Sequence, residues 1–136
     1  MRRPIEDPPE EYPTPKDVFR VAIREMLARG ARSWCHFDDA DSSAWAEVAP
    51  DGRGLYIKLS CPQRDWVGDV FAERVLSGSH HWPIVEFRRK GLLSQGRITY
   101  RAAREDLDGI IAFIDDFFVN TCPKGRSYRV LGSVQS

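Results

Sequence analysis

Residues 44–59 read AWAEVAPDGRGLYIKL, two alternating segments on either side of a Pro-Asp-Gly-Arg break. Apolar and polar side chains alternate in both segments, which predicts two half-buried strands joined as a hairpin. A four-residue loop at positions 50 to 53 pairs Val48 with Leu55 and places the apolar residues of both strands on one face. The opposite face then carries Trp45, Glu47, Tyr56 and Lys58.

A second hairpin is predicted in the segment VEFRRKGLLSQGRITY, which begins at Val85. A turn at Lys90-Gly91 alone gives a poor register. A four-residue loop ending at Leu93 places Val85 opposite Ile98 and sets an opposite-charge pair on the outer side. The longer loop is therefore the favoured interpretation.

That loop leaves Leu92 and Leu93 at the tip of the hairpin. Exposed apolar tips are often points of contact with another molecule. The alternative is that both leucines fold back under a neighbouring helix. Arg88 opens a basic run at the same end of the hairpin, beside the loop.

Three helices are expected. The first has Thr14 as its cap, Pro15 at its first position and Gly30 as its stop. The second is predicted from a capping box at Ser60-Cys61-Pro62-Gln63 and runs to about Leu76. The third has a wide apolar stripe made of Leu107, Ile110, Ile111, Ile114, Phe117 and Phe118.

The predicted order is helix, three strands, helix, two strands, helix. Ser33 to Phe37 forms the first strand, and Ser127 to Val134 is expected to add a last one. Amphipathic helices must cover a sheet face, so the fold class is α+β, with an antiparallel sheet and helices mainly on one face. Residues 14–136 are expected to form a single domain. Residues 1–13 are Pro-rich and acidic, which predicts an extended or disordered arm.

Composition excludes several function classes. The chain has 136 residues with 20 basic and 20 acidic side chains, so its formal charge is zero. A neutral chain gives no general reason to bind nucleic acid or an acidic membrane surface. The sequence contains no long apolar stretch typical of a membrane span or signal peptide. Three widely spaced cysteines do not predict a disulfide framework, and a cytoplasmic location is expected.

The sequence indicates no catalytic or metal site. Its cysteines and histidines lack the paired spacings that hold zinc, and Asp39, Asp41 and Ser43 match only the start of a calcium loop. No nucleophile elbow or phosphate-binding loop is present, so no cofactor is expected. Cys61 and Cys35 are the candidate nucleophiles, and Cys61 is favoured because a position at a predicted helix start can lower a thiol's pKa. The alternative is a small, buried apolar residue.

The element order, together with certain segments, resembles the type III secretion chaperone-like superfamily, including its YbjN-like and TY-Chap proteins. These segments are Trp45-Ala46-Glu47-Val48, Leu55 through Pro62, Val85-Glu86-Phe87 and the helix from Phe113 to Phe118. The resemblance covers roughly Thr14 to Thr121, and the segment after Pro123 departs from it. It implies a non-enzymatic, chaperone-like protein that binds a peptide or protein segment, often as a homodimer.

The predicted partner-binding residues are Trp45, Tyr56, Lys58, Arg88, Leu92 and Leu93. Aromatic side chains on a solvated sheet face are good anchors for a partner. Two structural alternatives remain, since Trp45 and Tyr56 can cover each other diagonally or pack under the second helix. A different function is also open. An immunity-type protein that neutralises one cognate toxin enzyme has the same small α+β body.

Overall fold

A computed structural model describes residues 14–52, 54–62, 84–88 and 95–136, with the backbone alone at 62, 84–88, 95 and 96. The described part contains two α-helices and six β-strands. These are α1 (Pro15–Arg29), β1 (Trp34–Asp39), β2 (Trp45–Asp51), β3 (Gly54–Pro62), β4 (Ile84–Arg88), β5 (Gln95–Ala103), α2 (Leu107–Thr121) and β6 (Val130–Gln135). The strands form one antiparallel sheet in the order β4-β5-β3-β2-β1-β6. The predicted α+β class is confirmed.

Helix α1 begins and ends where the sequence predicts. The backbone N–H of Asp17 donates to the Thr14 hydroxyl, and the Thr14 backbone N–H donates to the Asp17 carboxylate, so a capping box closes the first turn. The helix ends at Gly30, whose φ of 109° is a conformation that favours glycine. Its buried face is the predicted stripe, with Phe19, Ala22, Ile23 and Met26 in the core.

The hairpin of β2 and β3 has the predicted faces but a different register. Val48 pairs with Ile57 rather than Leu55, and the last pair is Asp51 with Gly54. The loop therefore has two residues instead of four, and it starts at Gly52, whose φ of 55° suits a tight hairpin turn. A shift of two residues leaves every side chain on the same face, so the predicted burial pattern survives the wrong register.

Strand β3 is longer than predicted, and the capping box at Ser60 is wrong. Ser60, Cys61 and Pro62 continue the strand, with Cys61 paired to Gly96 of β5. Hydrogen-bonded pairing of β3 with β5 extends through these residues, so the four-residue capping pattern does not start a helix at Ser60. The rest of the predicted second helix lies outside the described residues.

The register of β4 against β5 is also displaced by two residues. Phe87 lies opposite Ile98, where Val85 was predicted, and the pairing is irregular between Ile84 and Glu86. Arg88 lies opposite Arg97. Nine consecutive pairs with β3 set the position of β5 in the sheet, so the turn residues predicted between β4 and β5 do not determine the register. The predicted loop tip at Leu92 and Leu93 lies outside the described residues.

Helix α2 confirms the apolar stripe predicted for it, with Phe113 added to the buried set. The chain then passes through a 3-10 turn at Gly125–Ser127 to Tyr128, whose hydroxyl donates to the Asp115 carboxylate at 2.6 Å. The expected last strand is present as β6, which pairs with β1 over six residues. Tyr128 precedes this strand instead of belonging to it.

Both described helices cover the same face of the sheet. The ring of Phe19 on α1 lies 4.8 Å from that of Phe37 on β1, and Tyr100 on β5 lies 4.8 Å from Phe113 on α2. One row of directly opposed residues crosses five strands within this core. It contains Val134, Cys35, Val48, Ile57 and Tyr100. We call this side of the sheet the inner face and the opposite side the outer face.

We predict that Ile23→Ala destabilises the chain by roughly 2–5 kcal/mol, because it leaves a cavity in the packed core. Val21→Ala on the same helix is the matched control, since Val21 is 65% exposed. Its expected cost is within about 0.5 kcal/mol. Urea unfolding followed by circular dichroism measures both, and equal losses would contradict the assignment of α1's buried side.

Candidate functional site

The outer face carries the side chains that alternate with the core residues. Along β1 the exposed or half-buried residues are Trp34, His36 and Asp38, and they flank the buried Cys35 and Phe37. Strands β2 and β3 continue the pattern with Trp45, Glu47, Tyr56 and Lys58, as the sequence predicts. The two predicted aromatic anchors therefore lie outside the core, on the side away from α1 and α2.

Trp45 is half-buried and packs beside His36. The two ring centroids are 5.2 Å apart with an interplanar angle of 31°. The His36 ring nitrogens lie 3.3 Å from the Glu47 carboxylate and 3.0 Å from that of Asp38. An imidazole with a carboxylate at each nitrogen has a defined orientation, and its flat side supports the indole.

Tyr56 forms a separate cluster at the other end of β3. Arg101 donates a hydrogen bond of 3.0 Å to the Tyr56 hydroxyl, and it forms an ion pair with Asp51 at 2.9 Å. The guanidinium carbon also lies 5.4 Å from the centre of the Tyr56 ring. The hydrogen bond to Tyr56, with the charge of Asp51, raises the pKa of Arg101 above its ordinary value. Arg101 therefore contacts both the hydroxyl and the ring of Tyr56.

The register separates the two aromatic anchors. Trp45 pairs with Ser60, which is four residues from Tyr56 on the same strand. Four residues span about 13 Å along a strand, so the two rings do not cover each other. The alternative of diagonal packing is therefore wrong. Packing under the predicted second helix involves residues outside the described part of the chain.

The remaining predicted site residues have different outcomes. Lys58 is half-buried on the outer face, between Glu47 of β2 and Thr99 of β5 in the register. Arg88 is placed by its backbone in β4, at the end of the strand. Leu92 and Leu93 lie outside the described residues, so their exposure stays a prediction.

Two apolar residues of the outer face were not among the predicted site residues. Trp34 is 37% exposed at the start of β1, and Leu131 is 69% exposed on β6. Leu131 lies opposite Asp38, so both belong to the side of the sheet that ends at β6. The alternation of residues from Tyr128 to Val134 places Leu131 on the face opposite to Val130 and Val134, and this pattern could have identified it.

Accessibility differs between the two sides of the outer face. Ser60 on β3 is only 1% exposed and Thr99 on β5 only 5%, although both alternate with core residues. The accessible part of the face, among the described residues, therefore comprises β1 and β6 together with Arg101 of β5, and Trp45 and Tyr56 are half-buried.

The three thiols are buried and form no disulfide. Burial raises the pKa of Cys35 from 9.0 to about 12. Burial and the nearby Asp39 carboxylate raise that of Cys122 to about 12 as well. Cys61 lies within β3 in the core and not at a helix start, so the argument for a lowered thiol pKa no longer applies.

Among the described residues, no group of three or more His, Cys, Asp or Glu side chains could hold a metal ion. Asp39 instead accepts a hydrogen bond of 2.5 Å from Ser42, and Asp41 lies 3.4 Å from the amino group of Lys124. Asp39 and Ser42 thus hold the turn together, while Asp41 pairs with a cation from a distant part of the chain. In the part of the chain that the structure describes, no helix is long and apolar enough to cross a membrane.

Comparison of the chain with protein-family models, with curated proteins and with solved structures finds no match.

We predict that iodoacetamide modifies the thiols of the folded chain far more slowly than cysteine in solution. At pH 8 a thiol with a pKa of about 12 is ionised in about one molecule in 10,000, and the thiolate is the reactive form. Mass spectrometry after timed labelling measures the rate, with the urea-unfolded chain as the control. Labelling of any thiol at the solution rate would contradict this and restore the thiol-enzyme hypothesis.

Proposed function

We propose that this chain is a non-enzymatic binding protein that holds a segment of a partner protein on the outer face of its sheet. The observation that carries the proposal is a set of four large side chains on the face that neither α1 nor α2 covers. These are Trp34, Trp45, Tyr56 and Leu131.

The geometry of these side chains supports a binding role. Two of them are held by polar neighbours, with His36 beside Trp45 and Arg101 beside Tyr56. An aromatic ring that is already ordered loses little conformational entropy when a partner covers it. Rings of this kind are frequent anchors in protein interfaces.

Charges of both signs surround the aromatic residues. Asp38 and Glu47 supply carboxylates near Trp45, while Lys58 and Arg101 supply cations toward β5. Mixed charge fits a partner segment of mixed composition better than a polyanion such as nucleic acid, which a uniformly basic surface would attract.

The resemblance to the type III secretion chaperone-like superfamily supports the same role. A chaperone-like protein needs an accessible apolar surface and no reactive group. The buried thiols, two with raised pKa values, agree with a chemically inert body. On this proposal the chain works in the cytoplasm as a homodimer.

We predict that the double substitution Trp45→Ser with Tyr56→Ser weakens binding of partner segments at least roughly tenfold, as expected for loss of two aromatic anchors. The probes are fluorescein-labelled peptides selected by display on the immobilised full-length chain. Fluorescence anisotropy gives their dissociation constants, and circular dichroism verifies the fold of each variant.

Asp116→Ser is the control, because it changes an exposed side chain on α2, on the side of the sheet away from Trp45 and Tyr56. Tyr56→Phe keeps the ring but removes the hydrogen bond with Arg101, so its effect should be smaller than that of Tyr56→Ser. Unchanged affinity in a well-folded double variant would overturn the proposal. Selection of one tight, enzyme-derived ligand would instead favour the immunity-type alternative.

We predict that size-exclusion chromatography with light scattering gives a mass of twice the 15.6 kDa of the chain. If the dimer contact uses the exposed outer face, Leu131→Ser should shift the mass toward that of the monomer. A monomer at all concentrations tested would remove the homodimer from the proposal and leave the binding role to be judged by the peptides.

A further inference from the structure

Among the described residues, β6 is an edge strand whose own sequence and pairing lack the usual protection against further pairing. It is the last strand of the sheet order, and no described strand pairs with its far side. Its sequence VLGSVQ contains neither a charge nor a proline, and its pairing with β1 shows no bulge. Edge strands that are not blunted by these devices are sites where a further strand adds.

Antiparallel geometry identifies the backbone groups that face outward. Ala40 donates to the Arg129 carbonyl at 2.8 Å, so the backbone of Arg129 points toward β1. Direction alternates along a strand, which turns Leu131, Ser133 and Gln135 toward β1 as well. The N–H and C=O groups of Val130, Gly132 and Val134 therefore point away from the sheet.

A groove of about 390 Å³ lies beside this edge, between β6 and α1. Val18, Val21 and Ala22 form its helix wall, and Gly132 and Val134 contribute from the strand. A Cβ at Gly132 would lie 2.9 Å from Val18, so glycine allows the strand to approach the helix this closely. Most of the groove's surface is apolar.

Two carboxylates, Asp17 and Glu25, flank the groove on the exposed side of α1. With Val21 between them they form a stripe at spacing four on one side of the helix. The helix and the strand run in the same direction. Val18, early in the helix, lies next to Gly132, and Arg29, at its end, donates to the carbonyl of the later residue Val134 at 3.4 Å. An added strand would pass along this stripe.

The two large aliphatic side chains that are exposed among the described residues lie on opposite sides of the same edge. Val21, 65% exposed, is on the helix side, and Leu131, 69% exposed, is on the outer face. A strand paired with β6 would bring alternate side chains to both of them. The outward backbone groups, the groove and the exposed apolar side chains thus all fit an extended segment lying along β6.

We propose that the edge of β6 that no described strand pairs with, together with the α1 groove, binds an extended protein segment by strand addition, in which the ligand takes over the Val134 carbonyl from Arg29. We further propose that this segment carries Lys-x-Val-x-Lys or an equivalent basic and apolar pattern. Asp17 and Glu25 are eight residues apart, about 12 Å along a helix. Residues four apart in a strand span about 13 Å. Two lysines so spaced reach the two carboxylates while the central valine covers Val21.

The charges favour such a segment over a second copy of this chain. Symmetric pairing of β6 with its own copy would bring α1 toward α1, so that Asp17 and Glu25 meet the same carboxylates. Like charges at close range disfavour that arrangement. Glu25 already forms an ion pair with Arg29 at 2.6 Å, so a ligand lysine would share this carboxylate with Arg29.

The probe is the capped, fluorescein-labelled peptide Ser-Lys-Thr-Val-Thr-Lys-Ser, titrated with the full-length chain at low salt. We expect saturable binding that Glu25→Lys weakens roughly tenfold, because it reverses one flanking charge. Asp116→Lys, an equal charge reversal at an exposed position of α2, is the matched control and should leave affinity unchanged. A peptide with glutamate in place of both lysines should not bind.

Amide hydrogen exchange by NMR tests the strand geometry itself. The amides of Val130, Gly132 and Val134 should exchange rapidly in the chain alone and at least roughly tenfold more slowly with the peptide. Those of Leu131, Ser133 and Gln135 should be protected in both states. The Trp45→Ser, Tyr56→Ser variant should bind this probe normally, which separates this site from the proposed outer-face site.

Three results would overturn the inference. Binding without new protection of the outward amides would exclude strand addition. Equal weakening by Glu25→Lys and Asp116→Lys would reduce the interaction to general charge attraction. Protection of the three outward amides without peptide, in a chain that scatters as a dimer, would assign the edge to a second copy.

Discussion

The inner face of β3 is the constraint on which the rest of the structure depends. Leu55, Ile57, Leu59 and Cys61 are all fully buried, and the strand is paired with β5 along its length and with β2 over residues 54–60. A slip of one residue would place this whole apolar set on the outer face. The burial of β3 therefore fixes the two faces of the sheet, and the helices can pack on only one of them.

Structural features that depend on residues close together in the sequence were predictable. Thr14, Asp17 and Gly30 determine the ends of α1 through short-range hydrogen bonds and backbone conformation, so reading these residues was sufficient. The apolar stripe of α2 repeats over more than three turns and has a single interpretation. Face assignments in the β2–β3 hairpin were also correct, because its register error was of two residues and preserves the alternation.

Features with a distant cause were missed. The loop lengths were inferred from turn residues alone, whereas β5 is positioned by nine pairs with a strand more than thirty residues away in sequence. Ser60 has the chemistry of a helix cap, yet its neighbours alternate as a strand. For the site, Trp45, Tyr56 and Lys58 were placed on the correct face. The exposure of Leu131 depends on β6 ending the sheet, which no local pattern reveals.

The position of the three cysteine thiols bears on how this protein behaves outside reducing conditions. All three lie within the core, distributed over β1, β3 and the end of α2, where neither a small oxidant nor a thiol of another molecule approaches easily. Such a chain has no surface sulfhydryl for crosslinking on exposure to air. It should tolerate transfer between reducing and oxidising surroundings without covalent aggregation, as long as it stays folded.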